Sequence, residues 1–475
     1  MASRNGVVLQ FGIEIELLIR PRPGFLHTIK EFKFDPKVRP RDETDAEAEG
    51  KRQKDPGGWA KLEQARVSNR MALYRGLVRS LTNIGVTASA DRGAYDRWTI
   101  TQDPALTEIP VPGQCGFWNV ELVSRILRTD ENWAAEVALV YTALAECCEI
   151  KLTTGCSMHV HVSPVRQLPG KPDQFTYPEI ANIIKAVAYF DEPLTDIMPA
   201  ERKQNAFALS SFTGLPPADD QDANDRFNEP KMRTLRSLYH DVPAAGWGPL
   251  FQHLEKVRNG ISFRQNWDLY RLRSFNFSPL LDENCLTIEF RRPPGVDTAA
   301  KATKWTSVAL CFFASAIDSA WNVQTSGPPL RDSKSRPTLK EFKTFLERGR
   351  TFLNMDSFDP NVLVANKDPA LILTAIQIAK LKSKDAEMDS ESVFESKLSS
   401  RSNTPTSQTS KHSLRGQSSS PNRTSGRDAE AFLVDSQDSS TRFRFSNASP
   451  RSSALQERAN RESQEGYSSI FTIRS

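Results

Sequence analysis

The sequence predicts an α+β core followed by a long disordered tail. Three observations carry this. Short segments alternate apolar and polar residues with the period of a strand, and longer segments between them place apolar residues at helical spacing. From about Ser383 onward, Ser, Thr, Arg, Gln and Asn dominate and apolar periodicity disappears. Such a stretch cannot bury enough surface to offset its ordering entropy.

The elements follow in chain order. Val7–Ile19 alternates, with Phe11, Ile13, Ile15, Leu17 and Ile19 on one face and Gly12, Glu14 and Glu16 on the other. Residues 21–58 are charged and Pro-rich, and read as a loop or insertion. Leu62–Ile84 has helical spacing, with Gly85 placed to end it. Val86–Thr101 supplies one or two short strands and Val120–Val123 another. Thr129-Asp130 offers an N-cap to a helix carrying Trp133, Val137, Val140, Leu144 and Cys148. Cys156–Val162 alternates again. Pro178 suits the first turn of a helix with the stripe Ile180, Ile184, Val187 and Leu194. Pro216–Glu229 reads as a polar loop, Leu272–Pro279 and Leu286–Arg291 as strands, and Thr298–Trp321 as a long helix. Two or three helices are expected between Leu339 and Lys382.

This gives a folded core over 1–325, a helical extension over 326–382 and the Ser-rich tail over 383–475. Thr404-Pro405, Ser420-Pro421 and Ser449-Pro450 have the form of phosphorylation sites, but Ser-rich tails carry such dipeptides by chance. The short apolar islands Ala431–Val434 and Phe443–Phe445 are candidates for docking a protein partner.

Composition narrows the function classes. The formal charge of +4 over 475 residues is small, and Lys and Arg are scattered rather than striped, so no nucleic-acid partner is expected. Glu14 and Glu16 interrupt the first apolar stretch, which argues against a signal peptide. Trp305–Trp321 is short and broken by Ser and Asp318, so no membrane span is expected. The six cysteines include no CxxC pair and read as reduced, mostly buried thiols of an intracellular, cytoplasmic protein.

Four strands share one format. Glu14 and Glu16, Glu121, His159 and His161, and Glu289 with Arg291 each lie opposite the apolar residues of their own strand. In one sheet, that face would collect four carboxylates, two imidazoles and an arginine. Carboxylates so crowded repel unless a cation sits among them, and a hard divalent ion, Mg²⁺ or Mn²⁺, is the natural partner. An arginine beside it, matched to phosphate geometry, points to a nucleotide.

These residues also carry a resemblance. Phe11-Gly12-Ile13-Glu14-Ile15-Glu16 resembles the opening strand of carboxylate–amine ligases with the glutamine synthetase fold. Gly155–Ser163, with its Met-His-Val-His run, is similar to that superfamily's His-x-His strand. Thr287-Ile288-Glu289-Phe290-Arg291-Arg292 is similar to its Thr-Ile-Glu-Phe-Arg strand, and Glu121-Leu122-Val123-Ser124 to an element between them. Over about Val7 to Trp321 the chain resembles the amidoligase family frequent in filamentous fungi.

The resemblance implies a curved, mainly antiparallel sheet with helices on one face, and an ATP-dependent ligase. It would join a small-molecule or peptide carboxylate to an amine through an acyl phosphate. Glu14, Glu16, Glu121, His159 and Glu289 would hold Mg²⁺ (or Mn²⁺). His161, Arg291 and Arg292 would contact the ATP phosphates, with Glu289 and Arg291 catalytic. Asn276, Arg202 and Asn205 would touch substrate. Arg292-Pro293-Pro294-Gly295 departs from the more usual polar residues there. Two other readings stay open: a metal-dependent hydrolase with Cys156, His159 and His161 on zinc, and a silent scaffold with a phospho-regulated tail.

Overall fold

The computed structural model describes residues 7–370, apart from residues 34, 36–37, 39, 41–44, 92–94, 104–105, 167–173, 206, 215–228, 268, 270, 283–284 and 319–333. Expectations for the tail from Ser383, for the helices after Ala370 and for nearly all of Pro216–Glu229 lie outside the described residues.

The fold is mixed α+β around one open sheet. Its strands are β1 (Leu9–Pro21), β2 (Ala88–Ser89), β3 (Trp98–Thr101), β4 (Trp118–Val123), β5 (Leu127–Arg128), β6 (Cys148–Lys151), β7 (Met158–Pro164), β8 (Phe275–Asn276) and β9 (Ile288–Phe290). The order is β2-β3-β4-β1-β7-β9-β8, with β5 and β6 also pairing β1. Only β2–β3 is parallel; every other pair is antiparallel.

β1 runs through the middle because alternation commits its odd-numbered residues to the core. Ile13 pairs Val160, which pairs Phe290, which pairs Phe275, so one apolar row crosses four strands. Phe275 and Phe290 meet at 4.9 Å between ring centroids, and Phe275 reaches Phe312 of helix Ala299–Ile317 at 5.1 Å. That helix packs on β1, β7 and the helices Trp133–Cys147, Tyr177–Tyr189 and Leu339–Phe352. Each large apolar side chain so buried contributes about 1.5–3 kcal/mol. The opposite face carries the ionisable residues and, toward one end, a small apolar cluster of Leu18, Leu106, Ile109, Phe117 and Cys156.

Several boundaries differ from the sequence expectations. Residues 21–58 are not simply a loop: they contain helices Pro23–Thr28 and Asp45–Lys54. The second is rich in Ala, Glu, Lys, Arg and Gln, all good helix formers. Its only apolar residues are two alanines, so it gives no apolar stripe to read. Helix Pro56–Asn83 starts a turn and a half before Leu62, with Pro56 at its first position and the Asp55 side chain accepting from Gly58 N at 3.0 Å. Thr129 and Asp130 do not cap the next helix; Asn132 precedes it, without a side-chain cap bond. Thr129 Oγ1 accepts instead from Leu9 N at 3.0 Å, tying the turn to β1. Leu272–Pro279 reduces to two strand residues and a 3₁₀ turn. None of the six cysteines is joined in a disulfide. No helix among the described residues is long and apolar enough to cross a membrane.

Helix Leu339–Phe352 lies against Ala299–Ile317 so closely that a Cβ at Gly349 would collide with the Cys311 carbonyl. Gly349→Ala is therefore expected to destabilise the protein by about 1–3 kcal/mol. Thermal or urea unfolding would read the loss, and an unchanged midpoint would contradict this packing.

Candidate active site

Register builds the site. Gly12 faces His161, Glu14 faces His159 and Glu16 faces Glu121 across β1's two neighbours. Glu289 faces His161 on one side and Asn276 on the other. Alternation puts these residues on the face opposite the core, so side chains far apart in the chain become cross-strand neighbours.

Glu14, His159 and Glu289 form the tightest group. Their ligand atoms all lie within 4.8 Å of one another. His159 Nδ1 is 3.0 Å from Glu14 Oε2 and 3.3 Å from Glu289 Oε1. His161 Nε2 is 3.3 Å from Glu14 Oε1 and 3.7 Å from Glu289 Oε1, buried and not aligned for a hydrogen bond. Its Nδ1 is 3.2 Å from Thr287 Oγ1.

Hydrogen-bond accounting shows what this group needs. Glu16 Oε2 accepts from Ser157 Oγ at 2.6 Å and Ser157 N at 2.9 Å. The single Ser157 hydroxyl hydrogen is thus used. His159 Nε2, 3.0 Å from that hydroxyl, must then donate to it. Nδ1 is left facing two carboxylates. A lone pair aimed at two carboxylate oxygens is repulsive; a proton on Nδ1, donated to Glu14 Oε2, relieves it, and a divalent cation at their meeting point can take that proton's place. The donor set of two carboxylates and one imidazole fits a divalent ion.

The electrostatics agree. Burial alone would push Glu14 up, but the His161 and His159 imidazoles outweigh it and hold the carboxyl well below its usual value. Burial opposes ionisation of Glu289 as well, and His161, Arg291 and His159 overcome it. Both groups are therefore held as carboxylates. Burial, reinforced by Asp103, pushes Glu16 up against the pull of His159 and the Ser157 hydroxyl. Burial would lower His161, yet Glu14 and Glu289 raise it well above its ordinary value.

A cleft on one side of this group is lined by Glu14, Glu16, Asp103, Glu121, Gly155, Ser157, His159, Arg202, Asn205, Phe207 and Arg291. Arg291 is ion-paired to Glu289 through Nη1, while its Nε donates to Phe207 O at 3.3 Å. Arg202 donates to the carbonyls of Arg291 and Arg292, so it fixes the backbone after β9 as well as lining the cleft. Burial brings its guanidinium down to about 10, with Glu16 opposing. A second cleft opens on the other side of Glu14 and His161, toward Tyr95 and Thr287.

The structure thus brings Glu14, Glu16, Glu121, His159, His161, Glu289 and Arg291 together, with Arg202 and Asn205 at the edge. Two expected contacts are corrected. Arg292 was expected at phosphate but points to the core face, wholly buried, where it meets Asp191 at 3.5 Å and Thr195 Oγ1 at 2.6 Å. It is one residue out of phase with Glu289 and Arg291, and alternation sends it away. Asn276 was expected on substrate, but its amide is used at both ends: Nδ2 donates to Glu289 Oε2 at 2.7 Å, and Oδ1 accepts from Ser278 N and Oγ. It positions Glu289. Cys156 does not join the imidazoles; it packs with Leu18, Leu106, Ile109 and Phe117, and its thiol contacts Thr153.

Asp103, Ser157 and Thr287 were not singled out as site residues. Ser157 shares the phase of His159 and His161, and Asp103 that of Thr101, which pairs Glu121. The signal was available in both but unremarkable for such common residue types.

A family model described as "Putative amidoligase enzyme" matches residues 8–312. Among curated proteins, no match to the chain is found.

Proposed function

The chain belongs to the amidoligase family, an enzyme family of ligase type, and on that premise we propose that it is an ATP- and divalent-metal-dependent carboxylate–amine ligase. The observation that carries this reading is the convergence of Glu14 Oε2, Glu289 Oε1 and His159 Nδ1 on one point, beside an arginine held to face the same cleft. The mainly antiparallel sheet with one ionisable face supports a glutamine synthetase-like ancestry.

The reaction class is amide or isopeptide formation by way of an acyl phosphate. Glu14, Glu289 and His159 would hold Mg²⁺ or Mn²⁺, with Glu16 and Glu121 completing the acidic surround. When bound, such an ion would neutralise negative charge on the phosphate. Arg291 stabilises charge on the transferring phosphoryl group, its guanidinium fixed in advance by Glu289 and the Phe207 carbonyl. Arg202 orients the acceptor carboxylate in the same cleft, while Asn205, whose amide donates to Glu201 O and accepts from Phe207 N, holds the adjoining backbone. Glu16, whose affinity for a proton is raised by burial, takes the proton that the attacking amine must lose.

The test is phosphate release from ATP by the full chain in Mg²⁺ or Mn²⁺, with a pool of amino acids and amines. Release that depends on both a carboxylate and an amine supports the reading. Release that depends on neither, or product formation without ATP, overturns it.

A further inference from the structure

The second cleft has a chemistry of its own, and we infer that it seats the nucleoside end of the nucleotide, with Tyr95 stacking on the base. This rests on the ligase reading above. The cleft is lined by Gln10, Gly12, Ser124 and Thr287, shares Glu14 and His161 with the metal group, and among the described residues includes no lysine or arginine. His161, the basic side chain among them, already faces Glu14 and Glu289, so this lining is poorly matched to the charge of a triphosphate. The other cleft holds both Arg202 and Arg291. A nucleotide crossing the site must put its charged end toward the metal group and those arginines, and its neutral end here.

The lip of this cleft is suited to a planar heterocycle. Tyr95 and Ile126 are 57% and 48% exposed, two large apolar side chains left open to a ligand at the same lip. They are held side by side by a hydrogen bond from Ile126 N to Tyr95 O at 2.8 Å. The floor at Gly12, opposite His161, carries no side chain. Ser124 Oγ is taken up by Ile13 N and Arg125 O, but the Gln10 amide, anchored by its nitrogen on Ser163 Oγ, and the Thr287 hydroxyl offer neutral partners for ribose and ring nitrogens.

Backbone strain marks the same place. Three described non-glycine residues have left-handed backbones: Tyr95 (φ 57°), Leu286 (φ 53°) and Asn354 (φ 50°). Tyr95 forms one lip of this cleft, and Leu286 sits between Cys285 and Thr287 on the facing wall. A bulky residue held at positive φ costs free energy that a purely structural loop has no reason to retain.

The experiment is calorimetric titration of the full chain with ATP and with inorganic tripolyphosphate, both in Mn²⁺, comparing wild type, Tyr95→Ala and Tyr95→Phe. Base–aromatic stacking lost on alanine substitution is expected to weaken ATP binding about tenfold. Tripolyphosphate binding should not change, and Tyr95→Phe should retain wild-type ATP affinity. Equal weakening of both ligands, or unchanged ATP binding with a raised KM for the amine substrate, would overturn the assignment while leaving the ligase reading standing. If the wild type binds neither ligand, the ligase reading fails first and this inference with it.

Discussion

Glu289→Gln is expected to lower ATP-dependent amide formation about 10³-fold, the scale seen when a preorganised charge is removed from a reacting centre. No other side chain in the site does as much. One oxygen faces His159 Nδ1 at 3.3 Å and pairs with Arg291, and the other is fixed by Asn276 at 2.7 Å. The amide keeps the shape and removes the charge. It leaves a half-liganded cation site and an arginine without its anchor. The loss should appear first as a higher metal requirement in initial rates, and far-UV circular dichroism should stay unchanged. A variant that keeps full rate at ordinary Mg²⁺ concentrations would remove Glu289 from the mechanism.

Arg291→Lys is expected to cost a comparable factor, about 10³-fold in kcat, by analogy with arginines that stabilise transferring phosphoryl groups. Lysine keeps the charge but cannot hold the Glu289 carboxylate and the Phe207 carbonyl at once while still presenting a planar donor pair. The two variants should fail differently. Arg291→Lys should bind metal as wild type does and lose turnover, whereas Glu289→Gln should lose metal affinity. Parallel metal titrations and turnover measurements separate them. An Arg291→Lys variant impaired only in KM for the acceptor would assign the guanidinium to substrate binding instead.

Strict alternation within strands is why much of this site was legible in the sequence. Glu14, Glu16, His159, His161, Glu289 and Arg291 sit on short segments whose other residues are apolar, and a strand has two faces only. Which strands neighbour each other was not legible in the residues alone. Nothing in Glu14 or His159 announces that they stand opposite each other across β1 and β7. Asn276 shows the same limit. Its role depends on β8, a strand two residues long, too short for any period to show. Arg292 is the reverse case: it adjoins Glu289 and Arg291 in the Thr-Ile-Glu-Phe-Arg-Arg run, but alternation splits that run and buries Arg292 on the core face. The helix Asp45–Lys54 leaves no periodic trace in the sequence because Ala48 is its only described buried residue, so propensity rather than pattern holds it.

Glu14 of β1, His159 of β7 and Glu289 of β9 would together hold one divalent ion for a phosphate ligand. Electron paramagnetic resonance of Mn²⁺ titrated into the full chain, with and without ATP, tests it most directly. The wild type should bind Mn²⁺, and ATP should tighten that binding. His159→Ala should lose both effects while its thermal unfolding curve stays cooperative. Wild-type protein that leaves Mn²⁺ free in the presence of ATP, or a His159→Ala protein that binds it as tightly, would contradict the account.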